Sequence, residues 1–219
     1  MEFFRSFEYT LNVIKEEYTR IQDVDILRPL CTILQELKDP GLAELFSHSL
    51  SVDDQLLFYC STRALALLDR KDLLPDLYHL AMISNDIDCK YHHGLSLLCV
   101  GDARAFDLFI EVLAYELYLN VVNKADIDNY KNKRIESLKE KRAPRKRKIY
   151  GVILLNVLCQ LFNKEYVDGT LSSDKSFAFY ASWINYLAEN KAHMQSIDIS
   201  KVKLRLLTTH SRTLRGEPL

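Results

Sequence analysis

The sequence predicts an all-α fold, and three features carry that expectation. Apolar residues recur at helical steps of three and four through most of the 219 residues. Only six glycines and five prolines occur, few for the many turns of an all-β protein of this size. Leucine-rich segments also repeat: Leu37, Leu68 and Leu98, each placed in the last turn of a first helix, lie 31 and 30 residues apart. That period belongs to antiparallel helix hairpins stacked on one another rather than to a single bundle. A hydrophobic content of 48% is ample for one continuous stack.

The elements follow in order. A capping helix over 4–21 carries Phe7, Leu11, Ile14 and Tyr18 on one face. After Asp23-Val24-Asp25, Leu27, Leu30, Leu34 and Leu37 form the next stripe, Pro40-Gly41 stops it, and Leu42, Leu45 and Phe46 open its paired helix. Ser51 and Asp53 offer N-cap oxygens to a second pair, in which Leu57, Cys60, Ala64 and Leu68 are answered by Leu73, Leu77 and Leu80. Ser84-Asn85-Asp86 starts a third pair, with Tyr91, Leu95 and Leu98 before Gly101-Asp102, then Phe106, Phe109, Leu113 and Leu117 after it. Val152, Leu155, Cys159 and Phe162 face Phe177, Tyr180, Ile184 and Leu187 in a fourth hairpin. The expected organisation is a cap and three hairpin repeats over 1–122, a basic linker or loop over 123–148, and a C-terminal hairpin and tail over 149–219 continuous with the same domain.

Through Leu-x-x-Leu before an Asp-containing turn and a second leucine-rich helix, roughly residues 27–118 resemble HEAT-type repeats, in particular the shorter kind of about thirty residues. The turns differ in length between units, proline falls at Pro40 in one and Pro75 in another, and the usual Val-Arg pair of the second turn is missing. The resemblance implies a short α-solenoid with one helix layer lining a concave binding surface. Ordinary helical hairpins with coincident spacing are the alternative the same residues allow.

Charge is distributed unevenly. Residues 131–148 hold ten Lys and Arg against two Glu, a formal +8, which leaves −9 on the rest of a chain whose net charge is −1. Lys141, Arg142, Arg145, Lys146, Arg147 and Lys148 form a dense strip suited to phosphates or an acidic partner, and resemble a nuclear-localisation signal. A solvated loop between helices is an equal expectation, and no aromatic interrupts 131–148 to stack on bases. Arg205 and His210 match the Arg-x4-His spacing of HEPN-type ribonucleases, which act on a phosphodiester. However, Leu206 stands where that family carries a polar residue, and 13 Arg with six His and three tolerated spacings produce about one match by chance.

Other chemistry lacks its residues. No Gly-rich phosphate loop, Gly-x-Ser-x-Gly elbow or His-Glu-x-x-His sequence occurs, so no catalytic residue, cofactor or metal is expected. Adjacent His92 and His93 point to different sides of a helix and are expected at the surface or at a cap. The Asp-x-Asp pairs at 23/25, 86/88 and 126/128 lack the Gly and distal Glu of a calcium loop and are expected as turn and cap residues. Five cysteines without Cys-x-x-Cys spacing are expected as buried thiols. No apolar run is long enough to span a bilayer, and no leader is visible, so the expected compartment is the cytoplasm, or the nucleus in a eukaryote.

The resulting expectation is a non-enzymatic scaffold or adaptor, including an inhibitor or immunity-type protein, that binds another protein with a solenoid surface. The net negative body would steer a basic partner. Asp69, Asp72 and Asp76 should flank one turn within a pair, and Tyr78 and Tyr115, with Tyr59, Tyr91 and Tyr118, are candidate anchors whose bland role is packing with the hydroxyl outward. Nucleic-acid binding through 131–148 is the second expectation, and the ribonuclease the third.

Overall fold

The computed structural model describes residues 2–115, 150–162 and 173–192. Among these residues the protein is all-α, with no strand. The helices are α1 (Glu2–Tyr18), α2 (Val24–Glu36), α3 (Ala43–Ser49), α4 (Gln55–Leu67), α5 (Leu77–Ile83), α6 (Ile87–Cys99), α7 (105–115), α8 (Tyr150–Leu161) and α9 (Ser173–Asn190). Short 3-10 turns at Pro40–Leu42 and Lys71–Leu73 lead into α3 and α5, so Leu42 and Leu73 sit in the turn before each second helix rather than inside it.

A repeated local code sets the first helix of each pair. Asp23, Asp54 and Asp86 are the N-caps of α2, α4 and α6, 31 and 32 residues apart, and each side chain accepts a backbone N–H of the first turn. This satisfies a donor that has no partner within the helix. Fifteen residues beyond each cap the chain turns left-handed, at Lys38 (φ 51°), Asp69 (φ 59°) and Gly101 (φ 77°). The last two close Schellman motifs: Arg70 N–H donates to Leu65 O and Asp102 N–H to Leu97 O, both at 3.0 Å. Two expectations are corrected. Asp54, not Ser51 or Asp53, caps α4, since Ser51 Oγ donates to His48 O instead. Leu98 does lie in the last turn of α6, but the residue in register with Leu37 and Leu68 is Val100, because the caps Asp54 and Asp86 are 32 residues apart rather than 30.

Packing links these first helices in succession. α4 contacts α2, α3 and α6, while α6 contacts α4 and α5. α2 buries one stripe, Leu27, Cys31 and Leu34, whereas α4 and α6 are buried on nearly all sides, Leu57 to Ala66 on one and Tyr91 to Cys99 on the other. One apolar core joins α1 to α4 through Tyr18, Leu27, Phe46 and Leu65. A second runs from Ala66 through Leu98 and Phe109 to Leu158, Trp183 and Leu187, so α8 and α9 share a core with the third pair. Phe162 packs at its edge, 5.9 Å from Phe106 and 5.0 Å from Tyr186. Gly94 permits the close approach of α7, because a Cβ there would meet Phe109 Cε1 at 2.6 Å.

Candidate functional site

The turn between α4 and α5 gathers four of the five residues expected to meet a protein partner. Asp69 follows the C-cap of α4, Asp72 lies in the 3-10 turn, Asp76 caps α5 by accepting the His79 N–H, and Tyr78 stands in the first turn of that helix. Tyr115 is 44% exposed at the far end of the described part of α7. The acidic edge is not bare. Lys71 lies 4.0 Å from Asp69, Arg70 grips Asp72 through Nε and Nη2 at 2.9 and 2.7 Å, and Arg104 lies 4.0 Å from Asp76. The guanidinium of Arg70 holds the Asp72 carboxyl below its ordinary range.

Arg104 organises the rest of this edge. Its forked donors grip Asp102, with Nη2 at 2.7 Å, and its Cζ sits 5.1 Å from the Tyr78 ring centroid in a cation–π contact. The Tyr78 hydroxyl donates to Asp107 at 3.4 Å, and Lys191, beyond α9, donates to both oxygens of the same carboxylate at 2.8 and 2.6 Å. Paired charges, carboxylate acceptors and a stacked Arg–Tyr pair therefore converge where α5, α7 and the end of α9 meet. Such a surface suits recognition by hydrogen bonds and aromatic contact rather than a broad electrostatic field.

The second cluster is internal. His92 and His93 are buried, which corrects the expectation of surface or capping histidines: α6 is covered on both sides by α4 and α7, so neither face reaches water. His92 stacks on Tyr59 at 4.5 Å, and His93 meets the edges of Tyr59 and Phe58 at 5.4 and 5.8 Å. His93 is 2% exposed, its Nδ1 finds no hydrogen-bond partner among the described residues, and burial lowers its pKa to about 4. At the rim, Gln55 Nε2 donates to the Tyr59 hydroxyl at 2.6 Å and to Asp86 at 2.9 Å, fastening the start of α4 to the cap of α6. Tyr59 and Tyr91 are buried and pack rather than anchor a partner.

All five cysteines are buried thiols in no disulfide, and burial pushes Cys31 up to about 12, which keeps it protonated and unreactive at neutral pH. Among the described residues no group of three or more His, Cys, Asp or Glu is arranged to hold a metal, and no helix is long and apolar enough to cross a membrane. Lys141, Arg142, Arg145, Lys146, Arg147 and Lys148, and also Tyr118, Arg205 and His210, lie outside the described residues. Compared with protein-family models, curated proteins and solved structures, the chain matches none. What the fold and the α4–α5 edge define is an all-α protein with a charge-paired polar edge that carries an Arg–Tyr stack.

Proposed function

We propose that the chain is a non-enzymatic protein-binding scaffold or adaptor, built as a HEAT-like α-solenoid that works in the cytoplasm. The observation that carries the reading is the recurrence of one capped unit, from Asp23 to Lys38, from Asp54 to Asp69 and from Asp86 to Gly101, with the first helix of each unit packed on the next. Repeated stacking of this kind yields extended surfaces whose residues lose little conformational freedom on binding. The edge of Asp69, Asp72, Asp76, Tyr78 and Arg104 is the proposed contact, with the Arg104–Tyr78 stack as its anchor. The charge-paired form of its aspartates favours a partner offering both donors and acceptors.

A second reading, nucleic-acid binding, has the +8 of residues 131–148 in its favour. The scaffold reading is tested at its proposed edge. A partner retained by the full chain is measured for association rate against the chain carrying Asp69→Asn, Asp72→Asn and Asp76→Asn, and separately Tyr78→Ala. The scaffold reading expects at least a ten-fold loss of affinity for Tyr78→Ala, and a slower association for the triple variant at low salt. Unchanged binding in both would remove this edge from the function.

A further inference from the structure

The outer face of α2 carries an apolar stripe that no element among the described residues covers. Ile26, Ile33 and Leu37 are 51%, 61% and 42% exposed, Pro29 lies between them on the same side of the helix, and half-buried Leu30 joins this stripe to the core. α2 is thus apolar on two faces: Leu27, Cys31 and Leu34 fill the core, and this second stripe faces water. α1 does not cover it, although its Tyr18 is buried and bonds Ser49 of α3 at 2.7 Å.

The repeated caps explain what the stripe is for. With Asp23, Asp54 and Asp86 in register, Pro29 and Leu30 correspond to Cys60 and Ser61 in α4, and to His92 and His93 in α6. In α4 those positions face the preceding first helix, Cys60 lying 3.9 Å from Thr32 and Ser61 3.6 Å from Cys31. In α6 they again face the preceding first helix, stacking on Tyr59 and Phe58. Among the described residues, the stripe on α2 therefore occupies the helix-docking position of the repeat with no first helix packed on it.

We propose that this face is a docking site for an amphipathic helix of a different protein, one with an apolar stripe edged by basic residues. Charge decides the occupant. Asp25 and Glu36, eleven residues or three turns apart, fall on the same flank of the stripe, roughly 16 Å from each other along the helix axis. Asp25 keeps an Arg28 nitrogen at 3.0 Å and still exposes 82% of its side chain. A second copy pairing antiparallel about a two-fold axis would bring these acidic flanks together, whereas Lys or Arg along one edge of a foreign helix would meet both carboxylates. The inference rests on the scaffold reading and names a surface and partner chemistry for it.

The test uses the full chain and two labelled eighteen-residue designed peptides sharing one leucine stripe, edged with lysine in one and glutamate in the other. Fluorescence anisotropy should show the lysine-edged peptide binding at least ten-fold more tightly. Ile33→Asp should abolish that binding while leaving thermal unfolding unchanged, because Ile33 is exposed, and Asp25→Lys with Glu36→Lys should reverse the preference. Equal binding of the two peptides, or undiminished binding to Ile33→Asp, would overturn the proposal. So would a dimer of the unaltered chain that Ile33→Asp dissociates. A cellular partner held equally by the unaltered and Ile33→Asp chains would overturn this site and leave the scaffold reading standing.

Discussion

One carboxylate, that of Asp54, both starts α4 and ties it to Arg28 of α2. Its Oδ1 accepts the Leu57 N–H at 2.8 Å and the Arg28 Nε–H at 2.9 Å, while Oδ2 takes the Arg28 Nη2–H. The same residue thereby sets the beginning of one unit and its place against the previous one. Asp54→Ala removes a cap and half of a partly buried pair and should cost about 2 kcal/mol in urea denaturation, while Asp54→Asn, which still caps, should cost about half that. Arg28 holds the Asp54 carboxyl below its ordinary range, so its contribution is present above the unfolded carboxyl pKa and is lost as pH falls through the lower folded value.

His93 sets a second pH dependence. Its folded pKa is lowered to about 4 from 6.5, so the folded state favours the neutral ring. Stability from this group is full above pH 6.5 and falls as pH drops toward 4, where protonation of the buried ring must be accommodated. The loss across that window is about 3 kcal/mol. In urea titrations at stepped pH, His93→Leu should flatten the slope between those limits; a slope unchanged by the substitution would place its origin elsewhere.

Gly94 should resist substitution. An alanine Cβ would press on Phe109, and the expected penalty of about 1–2 kcal/mol exceeds the helix propensity that alanine adds. The same substitution in a Phe109→Leu background should cost markedly less, since the ring edge it strikes is gone. Additive losses in the double variant would contradict this packing.

Two of the three left-handed positions should respond in opposite directions. Gly101→Ala places a Cβ at φ 77° and should lose about 1 kcal/mol, whereas Lys38→Gly relieves a side chain at φ 51° and should gain about 0.5–1 kcal/mol. Thermal unfolding of both variants beside the unaltered chain reads the two signs.

Much of the architecture was legible because it rests on local rules. The Asp-x-Asp pairs at 23/25 and 86/88 mark helix starts as expected, and the first-helix stripes of the three pairs fall on α2, α4 and α6. Asp69 at a left-handed position was not legible, since glycine is the usual sign of that conformation and only Gly101 carries it. Choosing Leu98 over Val100 came from reading leucine as the marker of the last turn, when the cap-to-cap distance sets the register. The histidines misled because polar residues on an otherwise apolar helix suggest a solvent face, while α6 has none. The α4–α5 edge was half visible: Asp69, Asp72, Asp76 and Tyr78 are neighbours in sequence, but Lys191 reaches Asp107 across 84 residues, a contact only the fold creates.

The measurement that bears most directly on the scaffold reading is affinity capture from source-cell lysate, with and without nuclease, using the full chain and a form whose Lys and Arg charges over 139–148 are neutralised. The account expects one protein retained in stoichiometric amount by both forms, whether or not nuclease is added. Retention of nucleic acid that disappears with those charges, with no stoichiometric protein, would contradict it and make the basic segment the functional site.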